Sequence, residues 1–132
     1  LDGLHLLVEV VGEWLINDTL GHTVGDNILM ELSTVLQHCV RESDVVARWG
    51  GEEFVILCHQ TSITLVNSLC QRIAAAIKDY RFSGDVRLTC SFGIAKLASN
   101  EPMQSCFERA DKALYQAKAL GRNQICIDES NA

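Results

Sequence analysis

Arg48-Trp49-Gly50-Gly51-Glu52-Glu53-Phe54 separates two short apolar segments, Val45 to Ala47 and Phe54 to Cys58. Two glycines and two adjacent carboxylates therefore fall where a β-hairpin turns. Glycine accepts positive φ and leaves room for a ligand to reach the main chain, while paired acids at one tip repel each other unless a cation or donor compensates. A solvated acidic turn has the same composition. Taken alone, the heptapeptide predicts a hairpin and leaves its use open.

Upstream, residues 4–11 are almost continuously apolar and short, which predicts a central strand covered on both faces. Glu9 interrupts it. A carboxylate there must be paired, sit at the rim facing water, or bind a metal. A polar stretch follows, with Ile16-Asn17-Asp18, Gly21-His22 and Gly25-Asp26. Ile28, Leu29, Leu32, Val35, Leu36, Cys39 and Val40 then recur at helical spacing, predicting an amphipathic helix over residues 26–40 with Asp26 at its start. An acid at that position is favoured by the helix dipole whether or not it binds anything.

Downstream, residues 63–80 repeat the helical pattern and Ser83-Gly84-Asp85 breaks it. Val86, Leu88, Cys90, Phe92 and Ile94 alternate with polar residues, as in a half-buried strand. Pro102 opens a helix carrying Phe107, Ala110, Leu114 and Ala117, which stops at Gly121, and residues 124–128 form a last short strand. The order is strand, helix, strand, strand, helix, strand, helix, strand. It predicts an α/β sandwich (α+β) related to the ferredoxin-like βαββαβ pattern, with a central mixed sheet and the first strand and hairpin meeting at one sheet edge. Glu9 and Glu52 are then expected to converge, giving the hard oxygen ligands that Mg²⁺ with bound phosphates requires. Lys118 and Arg122, four apart on the last helix, suit a triphosphate tail, although cations near a helix C-terminus are also favoured by the dipole.

The chain has 132 residues, 48% hydrophobic, with one proline, and reads as a single domain over residues 1–132. A net charge of −6 argues against a general electrostatic footprint for DNA or RNA, but one nucleotide needs only a local cationic spot. No apolar run approaches the roughly 20 residues that span a bilayer, so no membrane contact by this domain is expected. Six cysteines lie scattered in apolar segments without metal-site spacing. They read as small buried hydrophobes in a reduced compartment, and the expected location is cytoplasmic.

Gly50-Gly51-Glu52-Glu53-Phe54, with Ile16-Asn17-Asp18, Gly21-His22, Gly25-Asp26, Ala113-Leu114-Tyr115, Ala117-Lys118 and Gly121-Arg122-Asn123, resembles the GGDEF family of diguanylate cyclases. The match covers nearly the whole chain, and its pieces occur in the family's order. The resemblance implies a bacterial signalling enzyme of nucleotidyl-cyclase fold that condenses two GTP into cyclic di-GMP with release of two pyrophosphates. It works as a homodimer with Mg²⁺ or Mn²⁺, beneath an upstream sensor domain. By the same resemblance Glu52 and Glu53 are the catalytic acids, and Glu9, the Val10 carbonyl and Glu52 hold the metal. Gly50 and Gly51 let the main chain close on the nucleotide, Asn17 and Asp26 read guanine, and Lys118 and Arg122 hold the β- and γ-phosphates. Arg41-Glu42-Ser43-Asp44 resembles the family's Arg-x-x-Asp product-feedback site, with Arg72 adding a second guanidinium.

Departures from the family concentrate in the first strand. Where the family reads Asp-x-Asp-x-Phe-Lys, this chain reads Glu9-Val10-Val11-Gly12-Glu13-Trp14. Glu9 keeps a carboxylate one methylene longer, Val11 replaces the second acid and Trp14 the lysine. The family's preceding helix, of Leu-Thr-x-Leu-x-Asn-Arg type, is absent from the sequence, which reads as an N-terminally truncated domain. Beside the cyclase expectation stands a second: a catalytically impaired module that binds GTP or cyclic di-GMP and regulates a partner.

Overall fold

The computed structural model describes residues 4–14 and 22–130. Five strands form one sheet in the order β2-β3-β1-β4-β5, antiparallel except for β4 and β5. The elements run β1 (Leu4–Trp14), α1 (His22–Cys39), β2 (Val45–Gly50), β3 (Glu53–Thr61), α2 (Ile63–Asp79), β4 (Leu88–Lys96), α3 (Met103–Ala119) and β5 (Ile125–Ile127). The predicted α+β order is present in full. β1 occupies the centre, and its end meets the hairpin through β3 as expected, with Val11 paired to Glu53.

The apolar patterns explain the layers. Leu6, Val8 and Val10 of β1 enter the main core with Ile28, Leu32 and Leu36 of α1 and Val66, Ile73 and Ile77 of α2. Leu7, on the opposite face, joins Ala95 and the α3 residues Cys106 and Ala110 in a second, smaller core. α1 and α2 thus cover one face, and α3 lies on the other. The Ser62 hydroxyl accepts the Leu65 amide at 3.2 Å and caps α2, and Gly84, at φ 73°, makes the break after it.

Three elements differ from the sequence pattern. β4 is buried from Leu88 to Ala95, not half-buried, because α2 and α3 pack against its two faces; its polar alternates Thr89 and Ser91 are small enough to be enclosed. β1 continues to Trp14, three residues past its apolar run, by pairing Glu13 with Thr89 and Trp14 with Leu88. α1 begins at His22, so Gly25 and Asp26 lie within its first turns. All six cysteines are free; Cys58, Cys70, Cys90 and Cys106 are buried, whereas Cys39 and Cys126 are only half-buried.

Candidate functional site

Strand alternation sends Glu9 towards the α3 face. Its partners across the ladder are Val55 on β3 and Gly93 on β4. A Cβ at Gly93 would collide with the carbonyl oxygen of Ala110 and the amide nitrogen of Leu114, and would lie 2.9 Å from Leu114 Cα. The missing side chain therefore lets the backbone of α3 settle onto the sheet beside Glu9. From the other side, Glu53 opens β3 opposite Val11 and faces the same way, two residues from Val55. Trp49, at the bulge between Arg48 and Gly50, packs its ring 4.9 Å from that of Phe107 and fastens the hairpin to α3.

These contacts gather Glu9, Glu53 and Asp111, each of which offers one carboxylate oxygen within 4.8 Å of those of the other two. Glu9 is 0% exposed, and neither of its oxygens has a hydrogen-bond partner among the described residues. Burial, followed by the negative charges of Asp111 and Glu53, pushes its carboxyl up to about 8. An orphaned buried carboxylate among like charges is what a divalent cation would compensate, and three carboxylates are the hard ligands Mg²⁺ or Mn²⁺ accepts. The residues fit such an ion.

Glu52 goes elsewhere. Gly50 pairs with Glu53, so Gly51 and Glu52 form a two-residue turn, with Gly51 at φ 42° and its carbonyl accepting the Arg48 Nε–H at 3.1 Å. From that tip Glu52 lines a cavity of about 410 Å³ with Val11, Gly12, Glu13, Lys118 and Arg122. The expected convergence of Glu9 with Glu52 is thus replaced by convergence of Glu9 with Glu53, because alternation along β3 aims Glu53 at the α3 face.

Lys118 and Arg122 do share a cavity, but not a helix face. α3 ends at Ala119, Gly121 takes φ 121°, and Arg122 follows in a left-handed turn at φ 64°. Arg122 Nη1 lies 3.2 Å from Oε2 of Glu13, a residue whose backbone amide, but not its carboxylate, was expected from sequence to serve phosphate. Glu13 also accepts from Ser91 Oγ at 2.7 Å and from the Asn123 amide at 3.2 Å.

Among the remaining expectations, Asn17 lies outside the described residues. Asp26 is exposed on α1 and does not line the 410 Å³ cavity. Val10 is buried between Phe54 and Phe92 with its side chain in the main core. Asp111 was missed: it lies two helical turns before Lys118 on the same stripe of α3, but spacing within one helix could not pair it with a strand residue as distant in sequence as Glu9.

A second cavity, of about 300 Å³, forms where the Arg-x-x-Asp segment meets α2, with Arg41, Asp44 and Arg72 on its wall beside Thr61, Leu65 and Ser68. Asp44 accepts from the Arg41 amide at 3.0 Å, from Nε at 3.3 Å and from Nη2 at 2.9 Å. Burial raises the Asp44 carboxyl, but these bonds outweigh it and hold the group below its usual range. The guanidinium of Arg41 also donates to the His59 carbonyl.

The family model described as the diguanylate cyclase GGDEF domain matches residues 14–124. The chain is 43% identical over 110 residues to diguanylate cyclase DgcM of Escherichia coli K12, and 42% identical over 113 residues to diguanylate cyclase DgcP of Pseudomonas aeruginosa. Each match takes in 83% of this chain but only 27% and 17%, respectively, of the relative's length. The structure of the active GGEEF domain of a diguanylate cyclase from Vibrio cholerae superposes with a TM-score of 0.87 at 27% identity, covering 98% of this chain and 85% of that one. The GGDEF domain of DgcB from Caulobacter crescentus, solved with c-di-GMP, gives 0.84 at 27% identity, covering 96% and 80%. The chain belongs to the diguanylate cyclase GGDEF-domain family, whose activity is the synthesis of cyclic di-GMP and whose cyclases are generally metal-dependent.

Proposed function

We propose that this chain is the catalytic unit of a diguanylate cyclase, acting in a homodimer whose protomers each present one GTP. The observation that carries this reading is the orphaned Glu9 carboxylate, grouped with Glu53 and Asp111 near the cavity that holds Glu52, Lys118 and Arg122. In each half-reaction the ribose 3′-oxygen of one GTP forms a bond to the α-phosphorus of the other, the bond to the β-phosphate breaks, and pyrophosphate leaves.

Glu9, Glu53 and Asp111 would hold Mg²⁺ or Mn²⁺; once bound, the ion neutralises charge on the reacting phosphates and acidifies the attacking hydroxyl. Lys118 and Arg122 bind the β- and γ-phosphates and offset the charge developing on pyrophosphate. Glu52, on the same cavity, takes the hydroxyl proton. Gly50 and Gly51 leave the main chain open to the nucleotide. Asn17 and Asp26 are proposed as the guanine readers, an amide and a carboxylate suited to the N1–H and N2–H₂ donors.

The cavity of Arg41, Asp44 and Arg72 is proposed as the product-feedback site, where planar guanidinium groups stack on guanine and pair with phosphate. An upstream sensor in the full protein and a cytoplasmic location complete the reading. No helix among the described residues is long and apolar enough to cross a membrane.

A second reading is favoured by the Glu13–Arg122 ion pair, which occupies one phosphate donor: an impaired module that binds GTP or cyclic di-GMP and regulates a partner. Incubation of the protein with GTP and Mn²⁺ or Mg²⁺, followed by chromatography, separates the two. Formation of cyclic di-GMP supports the cyclase. Nucleotide binding without product supports the second reading.

A further inference from the structure

Among the described residues that line the 410 Å³ cavity, Glu13 is the one charged residue enclosed in the fold. It is 8% exposed and lies against Ser91, which is wholly buried. Both its oxygens are used: Oε2 accepts from Ser91 Oγ and from Arg122 Nη1, and Oε1 from the Asn123 amide. The partner is differently placed, for the Arg122 side chain is 58% exposed and sits after a glycine turn, at a backbone φ of 64°. One member of the pair is enclosed, and the other is largely exposed on the cavity wall.

A phosphate entering this cavity seeks Lys118 and Arg122. Arg122 is already ion-paired with the Glu13 carboxylate. We propose that Glu13 is a built-in competitor for phosphate: it holds the Arg122 guanidinium, and an incoming phosphate group binds by taking that guanidinium from it. Glu13 thereby sets the anion affinity of the cavity by acting through Arg122, and contributes no contact to the ligand. The inference rests on reading this cavity as a phosphate site, and deepens it by naming what resists occupancy there.

Pyrophosphate binding to the folded chain, measured by calorimetry in metal-free buffer with a chelator, tests the exchange. Glu13→Gln keeps the shape and removes the charge, and is expected to tighten binding about tenfold, the order of effect for a partly desolvated charge pair. Glu13→Asp keeps the charge but withdraws it from Arg122, and is expected to tighten binding roughly threefold. Should the glutamine variant not fold, the aspartate variant carries the test alone. Unchanged or weaker binding by Glu13→Gln would overturn the proposal. So would tightening by glutamine with none by aspartate, since that would mean through-space repulsion and not capture of Arg122. Arg122→Gln separates this claim from the underlying one. If pyrophosphate binds that variant as well as it binds the natural chain, the phosphate-site reading falls, and this inference with it. If Arg122→Gln weakens binding while Glu13→Gln leaves it unchanged, the phosphate site stands and only the competitor is lost.

Discussion

Gly93 of β4 lies directly beneath Leu114 of α3, so close that a Cβ on the glycine would come within 2.9 Å of Leu114 Cα. Gly93 is also the ladder partner of Glu9. One absent side chain therefore controls how near α3, and Asp111 with it, comes to the carboxylate of the central strand. Gly93→Ala should push α3 away, lowering stability by about 1–3 kcal/mol, or roughly 5–10 °C in melting temperature. Calorimetry reads the loss, and a parallel Mn²⁺ titration should show weaker binding because the three carboxylates no longer converge. An unchanged melting temperature would mean that α3 is not seated on Gly93.

The raised Glu9 carboxyl makes stability depend on pH in a definite direction. In the metal-free protein Glu9 releases its proton near pH 8, whereas in the unfolded chain it does so near its ordinary 4.5. Between these values the folded state binds the extra proton, so this contribution is complete below pH 4.5 and is lost as pH rises towards 8. The slope approaches about 1.4 kcal/mol per pH unit where the difference is a full proton. Urea unfolding in chelator across this window should show the decline, and Glu9→Gln should flatten it. A natural protein with no such slope would refute the assignment.

Metal affinity should separate the two hairpin acids. Glu53→Gln or Asp111→Asn removes one carboxylate from the cluster and should weaken Mn²⁺ binding about 10- to 100-fold. Glu52→Gln, outside the cluster, should leave Mn²⁺ affinity within about twofold while sharply reducing cyclic di-GMP formation. Electron paramagnetic resonance of free Mn²⁺ measures the first quantity and chromatography the second. If Glu52→Gln weakens Mn²⁺ as much as Glu53→Gln does, the metal lies nearer the turn than this geometry indicates.

At the second cavity Arg41 both faces the solvent space and neutralises Asp44, whose side chain is 1% exposed. Arg41→Ala should raise the concentration of cyclic di-GMP needed for inhibition about tenfold or more. It should also lower stability by about 1–3 kcal/mol, since the buried Asp44 loses its charged donor. Arg41→Lys, which retains charge without the planar fork, should recover much of the stability and little of the inhibition. Equal inhibition of all three proteins would remove feedback from this site.

The fold was largely legible because its signals are local. The glycines and acids of the hairpin, the helical spacing after Ile63 and the proline and glycine bracketing α3 each act over a few residues, and each element appeared where these signals put it, with the turn itself at Gly51 and Glu52. Boundaries failed where tertiary pairing overrode pattern. β1 ran on to Trp14 because β4 offered it partners, and β4 was buried on both faces because α3 covers the side its hydroxyl residues occupy. Arg41, Asp44 and Arg72 were grouped in advance only by the resemblance to the family's Arg-x-x-Asp site, and the structure puts all three on one cavity wall.

The sequence by itself determined the order of strands and helices and the hairpin with its acids, carried by short-range periodicity and turn chemistry, while the family pattern was carried by the resemblance of motif residues distributed along the chain. Only the tertiary structure decided which carboxylates meet. Whether Glu52 or Glu53 reaches Glu9 depends on the two-residue turn and on strand alternation, and Asp111 joins them only because Gly93 admits the α3 backbone. The capture of Arg122 by Glu13 likewise requires a contact between residues 109 positions apart. Such contacts are set by packing, where the absence of one Cβ moves a whole helix, and no local pattern records them.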